Sequence, residues 1–336
     1  MLKKTLALVA ATAVGLAALT GCTGSDAPTP TVTAGTAGTA ATAGDAPTVD
    51  KVTLTYVTAP LNVPSITERE LGTFTNAFGA EGVDVAYSEL TTGPEQTAAL
   101  ASGDIQFLFA VGATSVILSA ANGADIAIVD AYSRAPEAFM LVSGANGPTS
   151  PADLVGKTIG GPKGTILHEL LVAYLASGGY TPADVNFVDM TIPDAQAALS
   201  GGSIDVALLA GPAATAMLAD GYQKVTDGKG LVGATIVVAT TRKFADANPS
   251  LIRTFRKAHQ SVLDYMAAHP DDVVGLTAAK TGLSEAAVRD TMPKYDFSAE
   301  ITDADIANMT ATVDFLLANG MIDKAVDVKG LILPSE

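Results

Sequence analysis

Apolar runs of strand length alternate along the chain with stretches whose apolar residues recur every three or four positions. The first runs fall at 52–57 and 83–87. Between them a helix is predicted from Thr67, with Leu71, Phe74 and Phe78 on one face and Thr67 and Glu70 at capping-box spacing. A helix to Ala121 and a strand at 126–131 follow. The same alternation returns with strands at 158–160, 185–188 and 223–226. A helix from Thr165 carries Leu167, Leu170, Leu171, Tyr174 and Leu175 and stops at Gly178-Gly179. After a β-rich run at 234–240 only helical patterns remain, at 249–268, 270–281, 284–292 and 303–319. Pro249 and Pro270 stand at helix starts, where proline fits. Strands alternating with helices predict an α/β protein with two mixed, mostly parallel sheets.

A shift of ninety-nine residues aligns 94–112 with 193–211 without a gap. Pro94 meets Pro193, Glu95 meets Asp194, and Ala98-Ala99-Leu100 meets Ala197-Ala198-Leu199. Gly103, Ile105 and Gly112 meet Gly202, Ile204 and Gly211. Each copy reads as helix start, short helix, glycine stop, buried strand and glycine turn. The order of elements suggests two lobes. Lobe I is built from 51–137 and 240–336, and lobe II is the insertion 138–239. Two extended crossings, near 139–142 and 236–239, would join them. Sheets of this kind bind ligands outside the carboxyl ends of their strands, so both sets of ends would face one cleft.

The amino terminus has a different character. Lys3 and Lys4 precede an apolar stretch from Leu6 to Leu19, and small residues lead to Cys22, the single cysteine. That is the layout of a secretory signal, here 1–21. Leu19-Thr20-Gly21-Cys22 resembles a bacterial lipobox, which implies a cut before Cys22 and diacylation of its thiol, enough for firm anchoring. Residues 23–50 hold only Thr, Ala, Gly, Pro, Ser, Asp and Val, a composition that cannot offset the entropy of ordering. The segment 22–50 therefore reads as a disordered tether, with a span of roughly 30 Å. The formal net charge of −16 becomes two units more negative when Lys3 and Lys4 leave, which argues against nucleic acid as partner. One cysteine permits no internal disulfide.

Several stretches together carry a family likeness: Thr92-Gly93-Pro94-Glu95 followed by 99–105, then Ser133-Arg134-Ala135-Pro136-Glu137, then 153–159, then Pro162-Lys163-Gly164-Thr165. Over roughly 52–325 the chain resembles the solute-binding lipoproteins of ABC importers for aliphatic sulfonates, taurine and nitrate. Those share a fold with thiamine-pyrimidine precursor binders. The resemblance implies the type II periplasmic-binding-protein fold, two lobes closing on a small solute, a membrane permease as partner, an extracytoplasmic monomer, and no chemistry, cofactor or metal. One departure stands out. Where many relatives carry tryptophan and an acidic residue or tyrosine, 209–214 keeps only Pro212, and the chain has no tryptophan. A roomier or differently shaped pocket is expected.

The family's ligand loops map onto Leu61 and Asn62, onto Thr92, Gly93 and Pro94, onto Gly112, Ala113, Thr114 and Ser115, and onto Gly164, Thr165 and Ile166, with Pro212 beside them. The last triplet opens a long helix, whose free N–H groups and positive dipole end favour an anion. Arg134 is the one cationic fork near the expected cleft and suits a sulfonate or carboxylate, unless Glu137 absorbs it. Lys163 is expected in solvent.

Other functions remain open at this level. A sensory or interaction module could use the same clamp, and some proteins of this fold are enzymes. Catalysis would need a base, nucleophile or metal set. His168, His259 and His269 are scattered without metal-like pairing, though His168 could reach the cleft. Gly156-Lys157-Thr158 imitates the end of a phosphate loop, but position 151 is proline and a strand follows instead of a helix.

Overall fold

The computed structural model describes residues 46–335. The signal sequence, Cys22 and most of the expected tether lie outside the described residues. The first run of elements is β1 (Lys51–Thr55), α1 (Val63–Leu71), α2 (Thr73–Gly79), β2 (Asp84–Ser88), α3 (Gly93–Ser102), β3 (Leu108–Gly112), α4 (Ala113–Ala121) and β4 (Ala127–Arg134). The second is β5 (Phe139–Ser143), β6 (Thr158–Gly161), α5 (Ile166–Ser177), β7 (Asn186–Asp189), α6 (Ile192–Ser200), β8 (Val206–Ala210), α7 (Gly211–Ala219) and β9 (Gln223–Asp227). Then come β10 (Thr235–Thr240), α8 (Arg242–Ala247), α9 (Pro249–Ala268), α10 (Pro270–Thr281), α11 (Glu285–Thr291), α12 (Asp303–Ala318) and α13 (Val328–Leu331).

β7-β6-β8-β5-β9 form a five-stranded sheet, β3-β10-β4 a three-stranded one, and β1-β2 a pair. Amides of Gln106 and Phe107 donate to the Thr53 carbonyl, and that of Thr55 donates to the Phe107 carbonyl. These bonds bring β1 beside β3, so the smaller sheets run β2-β1-β3-β10-β4. That order repeats the five-stranded sheet role for role. The ninety-nine-residue repeat is thus a repeat of packing: α3 with β3 corresponds to α6 with β8.

The sheets are mixed, with less parallel pairing than the sequence suggested. β10 runs antiparallel to β3 and β4, and β5 runs antiparallel to β8 and β9. Each enters its sheet directly after the chain has passed from the other, and so runs against its neighbours. The passages are 135–138 and 228–234, whereas 139–142 and 236–239, expected as crossings, each lie inside one sheet. The two passages touch: the Gly228 amide donates to the carbonyls of Pro136 and Phe139 at 3.1 Å.

Two boundaries differ from expectation. The first helix starts at Val63, with Pro64 at its second position, and Gly72 ends it with φ of +64°. Thr67 is buried inside α1 and caps nothing. The tether also ends sooner, because the Thr48 amide and hydroxyl donate to Asn248 Oδ1 at 2.7 and 2.8 Å, and Val49 packs on the core.

Burial explains the rest economically. Phe74, Phe78, Phe107 and Phe109 of the first run of elements cluster with Phe255 of α9, each 0–1% exposed. Leu170, Leu171, Leu175, Val206 and Leu208 bind α5 to the five-stranded sheet. Both layers leave their strand ends free to shape what lies between them.

Candidate functional site

β1, β2, β3, β6, β7 and β8 all end toward one cavity of about 530 Å³, and each hands the chain to a helix that begins there. The residues immediately before α1, α3, α4, α5, α6 and α7 line it: Asn62, Thr92, Gly112, Thr165, Thr191 and Ala210. Six positive helix ends therefore converge on one space.

The six starts are not equivalent. The Thr92 hydroxyl accepts from the Glu95 amide, and Glu95 accepts from the Thr92 amide at 3.2 Å, a complete capping box. The Thr191 hydroxyl likewise accepts from the Asp194 amide and donates to Asp194 Oδ2 at 2.7 Å. No side chain caps α1, α4, α5 or α7, but Pro64 and Pro212 in the first turns of α1 and α7 each remove one amide, which α4 and α5 keep. Their first-turn amides have no acceptor within their own helices. The Thr165 hydroxyl donates instead to the Pro162 carbonyl at 2.8 Å. The starts of α4 and α5 meet across the cavity, because a side-chain carbon on Gly112 would touch Ile166 Cδ1 at 3.3 Å. The site is thus richest in unspent N–H donors where α4 faces α5, the arrangement that receives an anion.

Among the described residues, no Asp, Glu, Lys, Arg, His, Tyr or Cys lines this cavity. Most side-chain donors in the wall are already engaged. Both Asn62 amide hydrogens go to the carbonyls of Val57 and Ala59, and Thr281 donates to Thr277. The Gln196 side chain has no hydrogen-bond partner among the described residues. The remaining wall is apolar, with Phe139, Ile192, Ala213, Ala216 and Leu283. Ala110 lines it too, with φ of +80° at the residue where β3 slips register against β10. This β-bulge re-aims the chain into α4.

Of the residues singled out from sequence, Asn62, Thr92, Gly93, Gly112, Ser115, Thr165, Ile166 and Pro212 surround the cavity. Leu61 does not; it is a fully buried core residue. Pro94, which is exposed, and Gly164 are not in the wall; a side-chain carbon on Gly164 would lie 3.7 Å from Pro94 Cγ. Ala113 is buried at the start of α4. Thr114 is turned away, and its hydroxyl donates to Glu169 Oε2 at 2.5 Å. The Ser115 hydroxyl, though at the wall, donates to the Gly164 carbonyl at 2.8 Å.

Arg134 requires a plain correction. Its guanidinium forms a bidentate pair with Asp305, at 2.8 and 2.6 Å, and donates to the carbonyls of Ser298 and Glu300. All its N–H groups are spent on the segment leading into α12, and none faces the cavity. Glu137 pairs with Lys229 instead. His168 is also outside. Its Nδ1 accepts from the Gly164 amide at 3.3 Å, and its ring stacks on Phe187. Burial, and then Lys163, push its pKa down to about 4, so the ring is neutral and serves as acceptor.

The sequence reading missed Thr191, Ile192, Pro193 and Gln196, although the repeat contains the signal: Thr191 stands ninety-nine residues after Thr92 and caps α6 as Thr92 caps α3. It also missed Phe139 and the Thr281-Gly282-Leu283 turn, which carry no local mark.

This fold and this cavity, set among strand ends with helix starts all around, define a periplasmic-binding-protein architecture. The family model described as NMT1/THI5 like matches residues 74–273, and the chain belongs to that family. It is similar to a protein of Bacillus subtilis (strain 168) named for aliphatic sulfonate binding, at 26% identity over 80% of this chain and 82% of that one. It is 31% identical to the taurine-binding periplasmic protein of Escherichia coli (strain K12), over 58% of this chain and 62% of that one. Among solved structures, it resembles the alkanesulfonate-binding protein SsuA from Xanthomonas axonopodis pv. citri bound to MOPS. The TM-score is 0.77 at 21% identity, covering 85% of this chain and 99% of that one. The desulfurization enzyme DSZB has the same fold, with a TM-score of 0.64 at 19% identity over 85% and 97% of the two chains.

Proposed function

We propose that this protein is the extracytoplasmic substrate-binding component of an ABC importer, and that it captures a small organic anion, a sulfonate by preference, in the cavity among the six helix starts. The observation that carries this reading is the meeting of the uncapped starts of α4 and α5, which supplies N–H donors and positive dipole ends with no cationic side chain. A sulfonate presents three acceptor oxygens to such a cradle. The names of the relatives agree with this chemistry.

In this reading, 51–137 with 240–336 and the inserted 138–239 act as two lobes, hinged at the paired passages 135–138 and 228–234. The chain is held to the membrane through a diacylated Cys22 and hands its solute to a permease. It works as a monomer and binds without transforming. Among the described residues the wall presents hydrocarbon, hydroxyls, side-chain amides and backbone, the groups this reading uses to hold a solute.

The test is thermal unfolding of the purified protein across sulfonates, nitrate, carboxylates and pyrimidines. A solute at a hundred times its dissociation constant adds about 2.7 kcal/mol of stability. A shift with sulfonates supports the assignment; a shift confined to pyrimidines overturns it.

A further inference from the structure

The wall of the cavity carries more information than the presence of an anion cradle. Twenty-nine of the described residues line it and none of these bears a charge. Away from α4 and α5 the surface is largely hydrocarbon: Phe139, Ile192, Pro193, Ala213, Ala216 and Leu283. Carboxylates do stand nearby, but each is committed elsewhere. Glu95 accepts from the Thr92 amide, Asp194 from the Thr191 hydroxyl, and Glu169 from the hydroxyls of Thr114 and Thr312. Glu95 and Asp194 are exposed and hold the caps of α3 and α6, and Glu169 is buried between α4 and α12.

We infer that the solute is a monoanion whose remainder is uncharged and largely apolar, and that this wall rejects solutes with an ammonium group on the tail. The inference rests on the anion-binding reading above and narrows it. An ammonium drawn into this cavity leaves water and finds no carboxylate to replace it, an uncompensated loss. A methyl group in the same place gains from leaving water. Each added methylene should tighten binding roughly fourfold until the cavity is filled. The lining thus separates two solutes of nearly equal shape, propane-1-sulfonate and taurine, which differ by a terminal methyl against a terminal ammonium.

Isothermal titration of the full-length protein with ethane-, propane- and butane-1-sulfonate and with taurine tests this. The expected result is affinity rising along the alkane series, with propane-1-sulfonate bound about 100-fold tighter than taurine. Taurine bound within threefold of propane-1-sulfonate, or tighter, overturns the inference and leaves the anion site standing. Silence toward every sulfonate overturns both. Gln196→Glu provides an internal control, since it adds a carboxylate to the wall at constant shape. It should narrow the preference at least tenfold, by weakening propane-1-sulfonate and strengthening taurine. An unchanged ratio in this variant overturns the assignment of the uncharged wall as the selecting element.

Discussion

Gly211 lies so close to the carbonyl of Pro60 that no side chain fits between them. Gly211 opens α7, which packs on the five-stranded sheet, while Pro60 belongs to the loop after β1. A carbon on Gly211 would overlap backbone, which cannot swing aside, and its φ of +53° is itself costly for alanine, by about 1 kcal/mol. Gly211→Ala should therefore hold the two sides of the cavity apart while each keeps its core. If the closed form falls to about 1% of the population, solute affinity falls about 100-fold. Titration calorimetry checks the affinity, and small-angle scattering checks that solute no longer compacts the protein.

Thr165 stands at the wall where α5 begins, with its hydroxyl turned back to Pro162. Thr165→Phe should fill the space before the free amides and abolish measurable binding, with unfolding by denaturant little changed. Unchanged affinity would remove α5 from the site.

Glu169 joins α5 to α4 and α12 by accepting from Thr114 and Thr312. Glu169→Leu would leave the buried Thr114 hydroxyl short of an acceptor, while Thr312 keeps the Asn308 carbonyl at 3.2 Å, at a cost of about 2 kcal/mol. Glu169→Gln retains one acceptor oxygen and should cost less than half of that. Urea titration of both variants measures the difference.

Glu68 makes the protein less stable as pH rises. Burial is the main cause that pushes its carboxyl from 4.5 up to about 7, against the opposing bonds from Tyr87 and the Phe74 amide. Below about 4.5 the group is protonated in both folded and unfolded chains and contributes no slope. Between about 4.5 and 7 the unfolded chain has released its proton and the fold has not. Stability then drops by about 1.4 kcal/mol per pH unit, roughly 3 kcal/mol in all. Glu169, raised by burial as well, adds a slope of the same sign. Glu68→Gln should remove the Glu68 part of the slope, measured by denaturant unfolding from pH 4 to 8.

What the sequence disclosed follows from where its information is local. The bounds of α9 and α10 were legible because Pro249 and Pro270 begin them. The Thr92–Glu95 capping box was legible because its parts are three residues apart. Gly72 was not, since the apolar stripe runs on through Phe74 and Phe78 and hides the break between α1 and α2. At the site, the strand-end loops were marked by glycine and threonine, and the repeat pointed to Thr191 for anyone extending the alignment two residues upstream. Leu283 reaches the cavity from far along the chain, set there by the packing of α10 against α1. No local pattern encodes that.

Arg134 is the sharpest case, and it yields the last prediction. The sequence sets a cation at a strand end beside the passage between sheets, where an anion-binding role is natural. Its direction depends on long-range pairing: the Arg134 amide donates to the Asp296 carbonyl at 2.8 Å and draws the segment 296–305 alongside. The fork then closes on Asp305, whose Oδ2 also accepts from the amide and hydroxyl of Thr302 at the start of α12. Burial alone would raise the Asp305 carboxyl, but the bonds from Arg134 and Thr302 hold it below its ordinary value. Arg134→Met removes the fork and leaves a carboxylate, 4% exposed, with only its cap. Stability should fall by about 2–3 kcal/mol, at the low end for a broken buried pair because the guanidinium is itself partly solvated. The affinity of the folded protein for its solute should stay within about threefold, since no N–H of Arg134 reaches the cavity. Calorimetry on the folded variant separates the two roles, because a tenfold or greater loss of affinity would return Arg134 to the solute.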